Sequence, residues 1–339
     1  MDPDGRDGTS GTRAAVLRAL TDGERFVLVT HENADGDALG SLVGMHGILT
    51  ALGKDAVMLM SADEFPLPYE YGFLPLDDVV TEVPADLAAR AVVFLDCGNI
   101  DRNPLEAVRV GGPILNVDHH HDNTRFGTLN LVDPDASCTA EIVWDLMQSL
   151  GVAPTLQIAE ALYAGLVTDT GRFMYENTGP RAHAMAAELM AVGVESQEIY
   201  RHLFEGMPES KLHLLARALE GVVRYDDGRL TFAWLTREDF EQTGAEESYT
   251  EGIIDHLRAV RDTKVAALVR ERVDQPGRTK VSLRAADGTV DVSVIARAAG
   301  GGGHRQAAGF STPMSREETV ALVREGIAAQ VRGDVVGRP

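Results

Sequence analysis

Asp118-His119-His120 closes the apolar run Ile114-Leu115-Asn116-Val117, and it is one of four places where metal-binding side chains follow a stretch that reads as a β-strand. The others are His31-Glu32-Asn33-Ala34-Asp35-Gly36-Asp37 after residues 26–29, Asp96 after residues 92–95, and Asp169 after Leu166-Val167. Imidazole nitrogen and carboxylate oxygen together suit first-row divalent ions, whereas a zinc or copper site is expected to use softer thiolates. Two carboxylates about 4 Å apart repel by roughly 4 kcal/mol even at an effective dielectric of about 20, so such a cluster calls for bound cations. Two ions about 3.5 to 4 Å apart can hold both a nucleophile and the phosphoryl oxygens of an in-line displacement. The donor set therefore points to metal-dependent hydrolysis of a phosphate ester.

These side chains meet only if the backbone gathers them. From about residue 16 to 150, short apolar strands alternate with helical segments such as 38–52 and 139–150, the pattern of a parallel sheet with helices on both faces. Ligand-carrying loops in such a sheet collect at the carboxyl ends of the strands, so all four clusters can share one crevice. Each piece alone has a plainer reading: an Asp after a strand caps the next helix, and Asp35-Gly36-Asp37 makes a turn. Recurrence at four successive strand ends favours the joint site.

His31-x-x-x-Asp35-Gly36-Asp37-Ala38-Leu39-Gly40-Ser41, Asp96, Asp118-His119-His120 and Thr168-Asp169-Thr170-Gly171-Arg172-Phe173 resemble, in this order, the motifs of the DHH phosphoesterase superfamily. The run Gly300-Gly301-Gly302-Gly303-His304-Arg305-Gln306-Ala307-Ala308-Gly309-Phe310 is similar to the glycine-rich motif of the DHHA1 substrate domain. The resemblance covers nearly the whole chain after the first dozen residues. Spacing and the length of 339 residues look most like the nanoRNase and pAp phosphatase branch, which also contains cyclic-dinucleotide phosphodiesterases.

By this resemblance, His31, Asp35 and Asp96 would hold one manganese ion, while Asp37, Asp96, His119 and Asp169 would hold a second, with Asp96 bridging. His120 would face the substrate phosphate, supported by Asp118. His304 and Arg284 would contact the nucleotide, with Gly302, Gly303, Arg172 and Arg297 as further contacts. Ala34 stands where the family commonly has proline, and His121 extends the histidine pair to three. Neither departure removes a ligand.

Composition agrees with a soluble two-domain enzyme: 44% of residues are hydrophobic and 24% charged, and no apolar run approaches the roughly 18 residues that span a membrane. The expected location is the cytoplasm. Cys97 and Cys138 are the only cysteines, and reduced packed thiols are expected instead of a disulfide. The net charge of −21 argues against coating long duplex nucleic acid, which depends on counterion release at a basic surface. A small anionic substrate can still be drawn by a local patch and the metals. Only four lysines occur, so phosphate contacts fall to arginine, whose planar fork suits them.

Three segments are expected: a disordered tail over 1–12, a DHH catalytic domain with linker helices over 13–205, and a DHHA1 substrate domain over 206–332. Residues 65–76, with Pro66, Pro68 and Pro75, read as a loop, and 180–192 as a helix with proline first and Gly193 after it. Beyond Gly221 the chain reads as a smaller α+β domain, beginning with a hairpin around Asp226-Asp227-Gly228-Arg229. Its glycine run removes every β-carbon, letting backbone N–H groups approach a phosphate or a base. Short RNA, pAp and linear or cyclic dinucleotides all stay open as substrates, as does a homodimer. A nucleotide-binding sensor without turnover is disfavoured because every expected ligand is present.

Overall fold

The computed structural model describes residues 6–109 and 112–334. The chain divides after Gly206 into two compact units. In the first, α1 (Arg6–Asp22) leads into β1 (Arg25–Val29), α2 (Gly36–Ala51), β2 (Asp55–Met58), β3 (Ala91–Leu95), β4 (Ile114–Asp118) and β5 (Leu129–Val132). Four helices follow: α3 (Thr139–Ser149), α4 (Leu156–Asp169), α5 (Pro180–Val192) and α6 (Ser196–Phe204).

The strands form a five-stranded sheet in the order β2-β1-β3-β4-β5, parallel throughout. Its inner strands are near-continuous apolar runs, Phe26-Val27-Leu28-Val29 and Val92-Val93-Phe94-Leu95, because both faces are covered. Phe26, Leu28, Val93 and Leu95 pack on α1 to α4, while Val27, Val29, Val92 and Phe94 pack on short 3₁₀ turns that carry Leu87 and Val108. The order reverses between β1 and β3, so the carboxyl ends of those two strands flank the switch point where such sheets bind ligands.

Helices α2 and α4 approach closely because Gly36, Gly40 and Gly44 line one face of α2. A β-carbon on Gly40 would lie 2.3 Å from the Ala161 carbonyl oxygen. This contact carries the start of α2, with Asp37, to the end of α4.

Two expectations change. Asp169 does not follow a strand: Leu166-Val167 belong to α4, and Asp169 is its last residue. Fully buried helical segments lack the polar spacing that separates helix from strand, and α4 is buried almost all round from Ile158 to Val167. Of the expected tail, residues 1–5 lie outside the described residues and 6–12 are helical. Val16 and Leu20 anchor α1 in the core, and extending a helix already nucleated costs far less than starting one.

The second unit begins with α7 (Glu209–Glu220), β6 (Val223–Tyr225), β7 (Leu230–Leu235), α8 (Arg237–Thr243) and α9 (Ile253–Arg258). It continues with β8 (Val265–Glu271), β9 (Thr279–Ala285), α10 (Val292–Ala298), β10 (Gly302–Gly303), β11 (Ala307–Thr312) and α11 (Arg316–Asp334). The six strands form a mixed sheet, β10-β11-β9-β8-β7-β6, in which only β7 and β8 run parallel. Residues 226–229 make the hairpin turn between β6 and β7, as their composition implies. No helix among the described residues is long and apolar enough to cross a membrane.

Candidate metal centre

Three strand ends and two helix ends build the site. His31 follows β1 by two residues, its ring held by Nδ1 2.8 Å from the Glu32 carbonyl oxygen. That bond leaves Nε2 to face Asp96 Oδ2 at 3.5 Å. Asp35 caps α2, with Oδ1 accepting from the N–H groups of Asp37 and Ala38 at 3.1 Å each. Both bonds use the same oxygen, so the plain cap reading and a ligand role for Oδ2 coexist.

Asp37 lies buried in the first turn of α2, and its carboxylate meets the start of α3. Oδ2 accepts from Thr139 N at 2.7 Å and Oδ1 from Ala140 N at 2.8 Å. Burial pushes the Asp37 carboxyl well above its ordinary range, and the charges of Asp96 and Asp169 push it further. Asp96 follows β3 directly, with a left-handed φ of 58°. Burial would raise its carboxyl too, but the hydrogen bond from His31 and the charges of His120 and His119 outweigh it and hold Asp96 well below the usual range.

His119 turns Nε2 toward three carboxylates: Asp169 Oδ2 at 3.5 Å, Asp96 Oδ1 at 3.7 Å and Asp37 Oδ2 at 4.0 Å. Asp169 is lifted to about 6, chiefly by burial, with Asp96 adding to the shift against the opposing charge of His119. His120 holds Nδ1 2.7 Å from Asp118 Oδ1, and Asp118 Oδ2 accepts from Asn123 Nδ2 at 2.5 Å. His121 is exposed on the turn beyond.

The structure thus brings His31, Asp35, Asp37, Asp96, Asp118, His119, His120 and Asp169 together. Within the first unit three groups of ligand atoms lie within 4.8 Å of one another: His31 with Asp35 and Asp96, Asp37 with Asp96 and His119, and Asp96 with Asp118 and His120. Asp96 belongs to all three. The donor set fits divalent cations, since mutual repulsion and burial hold Asp37 and Asp169 toward the protonated form until positive charge is supplied. Neither cysteine joins these groups: both are buried and free, and burial pushes the Cys97 thiol up to about 12.

Of the residues expected to touch the nucleotide, Arg172 lies on the turn after α4, exposed, with its guanidinium 5.1 Å from the Phe204 ring centre. The others belong to the second unit. Arg284 in β9 stands opposite Ala307 of β11, and His304 closes the β10–β11 turn by donating its N–H to the Ala307 carbonyl at 2.7 Å. Arg284, Gly303 and His304 therefore share one end of that sheet. Arg297 is exposed in the last turn of α10. The glycines differ in their reason: a β-carbon on Gly301 would collide with the Gly309 carbonyl at 2.1 Å, whereas one on Gly302 meets nothing within 4 Å. Gly301 serves strand packing, whereas Gly300 and Gly302 each leave open space beside the backbone.

Thr139, Asn123 and Asn177 were missed by sequence reasoning. Asn177 Nδ2 donates to Asp169 Oδ2 at 3.1 Å and to the Ser137 carbonyl at 2.7 Å. Threonine at a helix start and asparagine in a turn are commonplace, so only their partners distinguish them.

Both units have counterparts among known proteins. Residues 25–166 match the DHH family, N-terminal domain, and 229–331 match the DHHA1 domain. The chain is 36% identical over 318 residues to the bifunctional oligoribonuclease and PAP phosphatase NrnA of Thermus thermophilus, covering 92% of each protein. Among solved structures, an exopolyphosphatase-related protein from Bacteroides fragilis is 23% identical with a TM-score of 0.84, covering 94% of this chain and 96% of that one. RecJ of Thermus thermophilus, solved with Mn2+, shares the fold at 17% identity and a TM-score of 0.53, covering 96% of this chain and 55% of that one. Matched over both units and nearly end to end, the chain belongs to the DHH family, with a DHHA1 domain as its second unit.

Proposed function

We propose that the protein is a two-metal phosphoesterase that hydrolyses short oligoribonucleotides and pAp to mononucleotides, with manganese as its metal. The observation that carries this reading is the place of Asp96 in both the His31–Asp35 group and the Asp37–His119 group, as expected of a carboxylate shared by two ions. The Thermus thermophilus relative, named for oligoribonuclease and PAP phosphatase activity, supports the substrate class, and RecJ solved with Mn2+ supports the metal.

His31, Asp35 and Asp96 would hold one ion, and Asp37, Asp96, His119 and Asp169 the other. When bound, the ions would offset charge on the phosphoryl oxygens and lower the pKa of the attacking water. His120 supplies a donor. Burial would lower its pKa, but Asp118 and then Asp96 raise it, so the ring keeps its second proton toward neutral pH. Nδ1–H is engaged by Asp118, which orients the ring, and the ring would donate to a phosphate oxygen through Nε2. Asp118 itself stays ionised, because His120 outweighs the effect of burial. Arg284, His304 and the open backbone at Gly302 would contact the nucleotide, with Gly303, Arg172 and Arg297 as further contacts.

A substrate screen tests the proposal: purified protein with manganese, offered a labelled dinucleotide RNA, pAp and a cyclic dinucleotide. Hydrolysis of RNA and pAp is expected. Preference for the cyclic dinucleotide would reassign the substrate, and absence of turnover on all three would overturn the enzyme reading.

A further inference from the structure

We infer that Thr139 is the positioning residue that divides the two oxygens of Asp96 between the two halves of the centre; this rests on the metal reading above. Thr139 is fully buried at the first position of α3. Its hydroxyl donates to Asp96 Oδ1 at 2.9 Å, and its main-chain N–H donates to Asp37 Oδ2 at 2.7 Å. The N–H groups of a first helical turn have no partner within the helix, so that second bond is available whatever side chain stands at 139. The hydroxyl bond is not.

Asp96 needs an external hold. Its left-handed backbone is unfavourable for a residue with a β-carbon, and the last torsion of an aspartate has a broad minimum that does not fix the carboxylate plane. In the structure Oδ2 faces His31 at 3.5 Å, while Oδ1 faces His119 Nε2 at 3.7 Å and His120 Nδ1 at 3.7 Å. A donor on Oδ1 alone stops the carboxylate from rotating both oxygens toward one side. Thr139 therefore sets the bridging geometry of Asp96 through its side chain, and steadies Asp37 through its backbone.

The test is manganese titration calorimetry on the full chain, with folding followed by circular dichroism. Thr139→Val keeps the shape and removes the hydroxyl; Thr139→Ser keeps the hydroxyl and removes the methyl. Manganese affinity should fall about 10- to 100-fold in Thr139→Val, as is usual when a group that orients a ligand is lost, and stay near the wild-type value in Thr139→Ser. Turnover by Thr139→Val should recover in part as manganese is raised. Equal affinity in wild type and Thr139→Val overturns the inference. So does equal weakening in both variants, which would mean that packing and not the hydroxyl matters. If Thr139→Val does not fold, Thr139→Ala removes the same hydroxyl without adding bulk and is read by the same criteria. Failure of the wild type to bind manganese would instead sink the metal reading itself.

Discussion

His119 Nε2 lies 3.5 Å from Asp169 Oδ2, joining the residue after strand β4 to the last residue of helix α4. The centre is thus not a row of strand ends alone. It depends on α4 being pressed against α2 until its carboxyl end reaches the sheet.

Gly40→Ala should therefore damage the site from a distance. Its β-carbon would meet backbone at 2.3 Å, so α2 and α4 must separate. Overpacking of this kind costs about 1–3 kcal/mol. Thermal unfolding should show a lower Tm, and manganese affinity should fall with it, because Asp37 and Asp169 move apart. A variant with wild-type Tm and wild-type metal affinity would show that the glycine face is dispensable.

Asp96→Asn should abolish turnover and leave the fold intact. Asparagine tolerates the left-handed backbone at this position better than most residues, so the loop keeps its path. What it lacks is the negative charge that the two proposed ions would share. With manganese saturating, kcat should drop at least about 10- to 100-fold. Retention of more than about a tenth of wild-type kcat would remove Asp96 from the bridging role.

Metal binding should strengthen with pH. Asp169 is raised to about 6, mainly by burial, so its protonated form stabilises the metal-free fold fully below the unfolded value of about 3.9, and that contribution is lost as pH rises through about 6. Burial would lower His119, but the charges of Asp169, Asp96 and Asp37 prevail and raise it to about 9. Its contribution is full below about 6.5 and is lost as pH rises through about 9. Bound cations would replace both protons. The rise in Tm on adding manganese should grow between about pH 5.5 and 8.5, and a flat profile would place the ions elsewhere.

Much of this centre is legible in the sequence, for a physical reason. Strands β1, β3 and β4 are buried on both faces, so their runs are apolar from Phe26 onward in β1, throughout in β3 and broken only by Asn116 before Asp118 in β4, and a following His or Asp stands out. Asp169 stands out equally, but the run before it is a buried helix, which the same apolar pattern cannot distinguish from a strand. Gly36, Gly40 and Gly44 are visible as letters; that they form a helix contact is known only once α4 lies against them. Thr139 and Asn177 reach Asp96 and the Ser137 carbonyl across 43 and 40 residues, partners that no local pattern encodes, and Asn123 reaches back only five residues to Asp118 but stands in a turn where asparagine is ordinary.

The two histidines proposed for substrate contact should separate kinetically. His304→Ala would remove a proposed contact to a part of the nucleotide that does not react, so KM should rise chiefly. His120→Ala would remove the proposed donor to the phosphate, whose ring Asp118 holds, so kcat should fall chiefly. Both variants would be measured on one substrate. The reverse pattern would mean that the two residues have exchanged roles.

Substrate length should matter most of all. The chain carries a net charge of −21, and its Lys and Arg total 31 against 52 Asp and Glu. A nucleotide end would be offset by the proposed cations and by arginine, but each phosphate beyond it would meet a surface that is acidic on average and gain repulsion in place of counterion release. Cleavage should be fastest for RNA of about two to five nucleotides and fall steeply beyond that, with the penalty easing as salt screens the surface. A labelled length series, run with manganese at two ionic strengths, measures both effects. Twenty-nucleotide RNA cleaved as fast as a trinucleotide would point to a general exonuclease and end the short-substrate reading.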